Sequence, residues 1–176
     1  LLDRAGEPLL GIQSLDTRGA SLASDLDRDV GTALHAICLQ RPWPSQTPVL
    51  LAWLKARRPE VYAQAGTVCF AKDVISWNLT GQRVSDVSDM SGAGLLRLPE
   101  ARYDTDLLDL YGLSDALPLL PPLAQPTDIV GHVTPAAAAV TGLRAGTPVV
   151  AGYFDVVASA LGSGAIGNGA ASIVLG

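Results

Sequence analysis

The stretch Thr147-Pro148-Val149-Val150-Ala151-Gly152-Tyr153-Phe154-Asp155-Val156-Val157-Ala158-Ser159-Ala160-Leu161-Gly162-Ser163-Gly164 decides how the chain is read. Residues 149–151 are predicted to form a short buried strand opened by a proline, and the small residues from 156 onward a helix able to pack close to a sheet. One carboxylate, Asp155, stands at the junction. In open α/β sheets ligands tend to sit at the carboxyl end of a strand, and a helix N-terminus favours an ionised acid. Two roles are open to Asp155: an N-cap satisfying backbone N–H groups, or a base facing a substrate.

Composition narrows the setting. The chain has 176 residues, 48% hydrophobic and 16% charged, which suits one substantial core and not two ordinary domains. Net charge is -5, and the 12 basic residues form no stripe, so neither nucleic acid nor an anionic membrane surface is an expected partner. No apolar run approaches the roughly 20 residues that span a bilayer, and the start lacks the basic-then-apolar order of a signal peptide. A cytoplasmic location is the expectation. Cys38 and Cys69 lie far apart in apolar surroundings without metal-ligand spacing, and are expected to be reduced core residues. Leu1 to Leu9 includes no initiator Met and reads as a strand end, a turn at Gly6 and a second extended segment, as though the chain began in mid-domain.

Taken in order, residues 9–14 are expected to be extended, 17–30 a helix with Asp25, Asp27, Arg28 and Asp29 on a solvated face, and 31–40 a short helical run. Asp16 and Arg18 precede the first helix; an acid and a base two residues apart do not face each other on a helix, so no local ion pair is expected. His35 has no nearby acid and is assigned a structural role. Prolines 42, 44 and 48 mark a loop before a helix over 49–58, in which Trp53 is core. Residues 68–81 combine a strand-like start with a helix ending at Gly81, with Trp77 buried. Residues 85–92, Ser-Asp-Val-Ser-Asp-Met-Ser-Gly, are rich in short polar side chains and read as a loop capping a helix. An edge strand over 95–98, a helix over 104–111 stopped at Gly112, packed proline-rich chain over 117–126, a strand over 128–133 and a helix capped by Thr134 with Pro135 at its first position complete the outline. His132 is read as a surface residue.

Several of these blocks together resemble the FGGY carbohydrate kinases. The residues that carry the resemblance are Ala151 to Val157, with the glycines of Leu161-Gly162-Ser163-Gly164 and the strand-like 171–176; Pro48 to Lys55 with Pro59 to Tyr62; Lys72-Asp73-Val74-Ile75 running to Leu79-Thr80-Gly81; Ser85 to Gly92; and the run from Gly131-His132-Val133-Thr134 to Gly146-Thr147-Pro148-Val149. The resemblance implies an actin-like ATPase fold of the ribonuclease H-like kind, α/β with a mixed sheet flanked by helices. It implies that residues 1–176 are a partial N-terminal, sugar-binding domain. The Gly-rich phosphate loop that would precede Leu1 and a C-terminal ATP domain are expected to lie outside the chain.

By the same resemblance Asp155 would be the general base that accepts the proton of the sugar hydroxyl, with Mg-ATP as donor in the intact enzyme, no metal bound by this chain itself, and the fragment alone inactive. Asp16 and Arg18 would match a W-x-D-x-R stretch at the mouth of the sugar pocket, with Ser14 at the tryptophan position; fixing the loop is the other role open to Asp16. Phe154 and Asp86 complete the expected substrate-binding set, Ser88 being an alternative to Asp86 and scaffolding the other role open to both. Ser45 stands where some members carry an aromatic residue for polyol contact, which points away from a glycerol kinase. The Phe154-Asp155-Val156-Val157 context looks like that of L-xylulose, 3-keto-L-gulonate or erythritol kinases, so the expected substrate is a ketopentose such as L-xylulose or D-xylulose, or erythritol. A homodimer is left open. The alternatives are a non-catalytic sugar-binding or regulatory module of the same fold and a different actin-like ATPase.

Overall fold

A computed structural model describes residues 1–173. Strand β1 (Leu2–Asp3) pairs antiparallel with β2 (Ala65–Thr67), and between them runs the first helical layer. Helix α1 (Ala20–Cys38) is one continuous element, where two had been expected. Its apolar positions recur at helical spacing, with Ala23, Leu34 and Cys38 buried and Leu26 and Val30 packed against the same core. Gly31 lies within it, at a point where a side chain would meet Asp27 and the Arg41 guanidinium. The helix begins at Ala20 and not at Thr17, since the Asp16 carboxylate accepts the Arg18 backbone N–H and folds 16–19 into a turn.

Helix α2 (Thr47–Arg57) carries Pro48 in its first turn and buries Val49, Leu50, Leu51 and Leu54. The short α3 (Pro59–Tyr62) follows. Helix α4 (Ala71–Thr80) stops at Gly81, whose φ of 76° supplies the expected left-handed cap. The strand before it is β2, a few residues earlier than expected. Strand β3 (Ser85–Asp86) pairs parallel with β6 (Leu123–Ala124) and delivers Asp86 as the N-cap of α5 (Val87–Gly92). Strands β4 (Leu96–Arg97) and β5 (Arg102–Tyr103) form a small antiparallel pair ahead of α6 (Thr105–Leu110). The core lies between α1, α2, α5 and α6, where Leu34, Val49, Met90, Leu95, Leu96, Leu107 and Leu113 are fully buried. Burying each such side chain is worth about 1.5–3 kcal/mol relative to exposure.

The last third is built differently. Strand β7 (Ile129–His132) pairs antiparallel with β8 (Pro148–Val150), and α7 (Pro135–Thr141) connects them, with Thr134 accepting the Ala137 N–H and Gly142 closing the helix. Helix α8 (Asp155–Gly162) ends the regular structure. The strand leading to Asp155 is not buried as the sequence suggested: Val150 is 50% exposed, because β8 has β7 as its one partner among the described residues and packs against no second sheet. Residues 171–173 are irregular, so the strand expected over 171–176 is not found there, and its remainder lies outside the described residues.

Two tryptophans also differ from expectation. Trp53 is half-buried, with the Arg18 guanidinium 5.0 Å above its ring, and Trp77 is half-buried between the turn at Gly6 and the Arg83 guanidinium, 4.1 Å from its ring. In both cases an arginine covers the face that a core would otherwise cover. Cys38 and Cys69 are free thiols, the first buried and the second half-buried; burial pushes both thiols above their ordinary range. His132 is at the surface. No described helix is long and apolar enough to cross a membrane.

Candidate active site

An open cavity of about 670 Å³ lies where α2, α4, α5 and the 151–155 segment converge, within the size range of small-molecule sites. Its walls include Ser14, Trp43, Ser45, Gln46, Lys72, Asp89, Phe154 and Asp155. The mixture is informative. An apolar and aromatic surface carries a few polar groups that converge on one space, which suits a small hydroxylated ligand better than a large charged one.

Asp155 opens α8 as its first helical residue, so it is not the N-cap; Phe154 holds that position. The carboxylate is exposed at the cavity and accepts a hydrogen bond from the Val156 N–H at 2.7 Å. Among the described residues it has no cationic partner within ion-pair distance. A carboxylate left open beside a cavity is within reach of a ligand bound there.

Beside it lies a polar cluster of the opposite character. Lys72 reaches from the first turn of α4 and its Nζ lies 2.8 Å from Asp73 Oδ1, 2.6 Å from Asp86 Oδ2 and 3.0 Å from Asp89 Oδ2. Asp86 is 0% exposed. Its Oδ1 caps α5 by accepting the Ser88 and Asp89 N–H groups and the Ser88 hydroxyl, while its Oδ2 faces the Lys72 ammonium. Asp73 Oδ2 accepts the Phe70 N–H ahead of α4.

These environments separate the titrations. For Asp86, burial works against ionisation but the Lys72 and Ser88 hydrogen bonds outweigh it, and the carboxyl is held below its usual range. For Asp89, burial wins over the Lys72 contact and pushes the carboxyl up to about 6. Burial of the Lys72 ammonium is likewise outweighed by its carboxylate partners, and its affinity for the proton is raised.

Asp73, Asp86 and Asp89 are the described residues that come close enough together to hold a metal ion. The lysine already occupies the centre of that set. An ammonium at 2.6–3.0 Å from all three carboxylates takes the position a divalent cation would need and cancels one of the three charges, so this cluster, as it stands, does not fit magnesium.

The other expected site residues fall as follows. Phe154 lines the cavity, its ring against Gly92, where an added Cβ would come within 2.9 Å. Asp86 does not line the cavity; Asp89, one helical turn on, does. Asp16 and Arg18 lie outside its wall. They form a bidentate ion pair, Arg18 Nη2 to Asp16 Oδ2 at 2.6 Å and Nε to Oδ1 at 3.0 Å. The expectation that they would not pair assumed helical geometry; they sit in a loop, where residues two apart can turn toward each other. Ser14 and Ser45 both line the cavity, and an aromatic wall is present in Trp43, two residues before Ser45. Sequence reasoning passed over Lys72, Asp89 and Trp43 as site residues. One signal was available: Asp86 and Asp89 are spaced to share a helix face, and buried acids need a cation.

The α/β scaffold is part of an actin-like fold, and it sets an exposed carboxylate, at a strand-to-helix junction, against a cavity of small-molecule size. Residues 1–162 match the model of the FGGY family of carbohydrate kinases, N-terminal domain, and the chain belongs to that family. It is 38% identical over 166 residues to the L-xylulose/3-keto-L-gulonate kinase of Escherichia coli (strain K12), covering 93% of this chain and 33% of that protein. It is 33% identical over 181 residues to the autoinducer-2 kinase of Yersinia enterocolitica, covering 100% of this chain and 34% of that protein. Among solved structures, the xylulose kinase of Rhodospirillum rubrum superposes with a TM-score of 0.87 at 32% identity, over 96% of this chain and 35% of that one. The chain thus spans about a third of the length of these relatives.

Proposed function

We propose that the protein containing this chain transfers a phosphoryl group from ATP to a hydroxyl of a small sugar or polyol, and that Asp155 is the general base. The observation that carries the reading is the exposed Asp155 carboxylate at the cavity, with no cationic partner among the described residues. Phosphoryl transfer asks little covalent chemistry of a protein: alignment, charge stabilisation and one base near the attacking hydroxyl. The bond forms between the sugar oxygen and phosphorus, the bond to the ADP leaving group breaks, and the hydroxyl proton passes to Asp155. Trp43 and Phe154 would border the carbon skeleton, and Gln46 and Asp89 would meet hydroxyl groups. ATP and its divalent ion would be held by parts of the protein beyond this chain, since the acidic cluster here is filled by Lys72.

The substrate we favour is a ketopentose of the L-xylulose kind, with D-xylulose and erythritol as the nearest alternatives. This rests on the Phe154-Asp155-Val156-Val157 context and on the names of relatives. A cytoplasmic location fits that role. The test is a coupled ADP-release assay on the intact protein with Mg-ATP and a panel of pentuloses, hexuloses, erythritol, glycerol and, because one relative is named an autoinducer-2 kinase, autoinducer-2. Release with L-xylulose is the expected result. A preference for D-xylulose would overturn the subgroup assignment, and silence with sugar binding retained by calorimetry would favour a binding module.

A further inference from the structure

We propose that Ser88 is a positioning residue for Asp155, an inference that rests on the reading of Asp155 as the base. Ser88 lies in the first turn of α5 and Phe154 immediately precedes Asp155, 66 residues away in sequence; the Phe154 N–H donates to Ser88 Oγ at 2.8 Å. The direction of every bond in this chain of groups is fixed by chemistry. An ionised carboxylate such as Asp86 accepts only and a backbone N–H donates only, so the Ser88 hydroxyl gives its one proton to Asp86 Oδ1 and turns a lone pair to Phe154.

The far end of this relay is rigid. Asp86 is wholly buried, caps α5 through two backbone N–H groups and faces the Lys72 ammonium. Lys72 grips the other end of the same loop, its Nζ lying 3.4 Å from the Ala151 carbonyl oxygen. The backbone at the start of the loop is pinned to the β7 side, Ala151 N–H donating to the Asp128 carbonyl and Gly152 N–H to that of Pro126. The segment 151–154 is therefore held at both ends by α4 and α5. Asp155, the first residue past the second anchor, reaches the cavity with one neighbouring amide to steady it. The buried cluster fixes where the exposed carboxylate stands, and Ser88 is its contact adjoining Asp155, as Lys72 is its contact at the far end of the loop.

The experiment compares Ser88→Ala and Ser88→Thr in the intact protein, reading kcat and KM with the sugar found by the ADP-release screen, and amide hydrogen exchange by mass spectrometry over residues 150–158. Removal of the hydroxyl strands the Phe154 N–H. Because a misplacement of about 1 Å can cost about 100-fold, Ser88→Ala is expected to lower kcat by about 10- to 100-fold with KM changed less than about threefold. Exchange over 150–158 should quicken while peptides of α1 and α6 keep their protection, and Ser88→Thr should restore both readouts. Unchanged kcat, a kcat loss without faster exchange at 150–158, a loss carried wholly by KM, or a global rise in exchange that threonine does not reverse would each overturn the proposal. Failure of the base assignment is read separately: Asp155→Asn at full turnover removes the base, while the exchange data still report whether Ser88 holds the loop.

Discussion

Two acidic regions lie side by side and are built on opposite principles. Asp73, Asp86 and Asp89 are buried around Lys72, with ion-pair distances of 2.6–3.0 Å. Asp155, in the wall of the same cavity as Asp89, is exposed and accepts a hydrogen bond from the adjacent Val156 amide. A buried charge survives only when paired and hydrogen-bonded, so the first region is stiff and serves as a frame, with Asp89 the member of it that also faces the cavity. A group that must exchange a proton with a ligand has to remain open. The difference teaches that the most conspicuous cluster of carboxylates need not be the reactive one. Here it serves best as the frame against which a single open carboxylate is set.

That contrast is most sharply broken by removing the cation. Lys72→Met leaves three buried carboxylates facing one another and is expected to destabilise the protein by about 3–5 kcal/mol, measured by denaturant unfolding. A loss of under about 1 kcal/mol would mean that the cluster is not the frame described. Core packing offers a calibrated reference: Leu95→Ala, at a position with 0% exposure, should cost about 2–5 kcal/mol in the same measurement.

A smaller effect comes from titration. The Asp89 carboxyl is pushed up to about 6 by burial, so the folded state binds its proton more tightly than the unfolded chain does. Its stabilising contribution is complete below the unfolded value near 4 and is lost as pH rises through about 6. Asp86, held below its usual range, acts with the opposite sign and loses its contribution as the solution turns acidic. Asp89→Asn should therefore flatten the decline in stability between about pH 4 and about pH 6; an unchanged profile from urea midpoints across that window would contradict the assignment. Smallest of all, Asp16→Asn breaks an ion pair that lies in an exposed loop outside the cavity wall, and the melting temperature should not move measurably.

Much of the fold was legible because it rests on local chemistry. Thr134-Pro135 announces the start of α7 and Gly81 the end of α4, since a hydroxyl cap, a fixed φ and a left-handed glycine act within a few residues. What sequence could not carry was set by distant partners. Val149 and Val150 read as buried, yet whether a β-branched run is covered depends on a neighbouring sheet, and β8 has β7 alone among the described residues. Trp53 and Trp77 read as core because nothing local says that Arg18 and Arg83 will cover them. At the site, Asp155 stood out by its place between strand and helix. Lys72 and Asp89 did not, because their meeting joins two helices through a capping aspartate from a third element.

The most direct test of the account is Asp155→Asn in the intact protein, with turnover followed by ADP release and sugar binding by calorimetry. The substitution keeps the shape of the side chain and removes its basicity. The account predicts that binding persists while kcat falls by about a hundredfold or more, as loss of a general base requires. Equal turnover by the variant would take Asp155 out of the mechanism and leave the open carboxylate without the role given to it here.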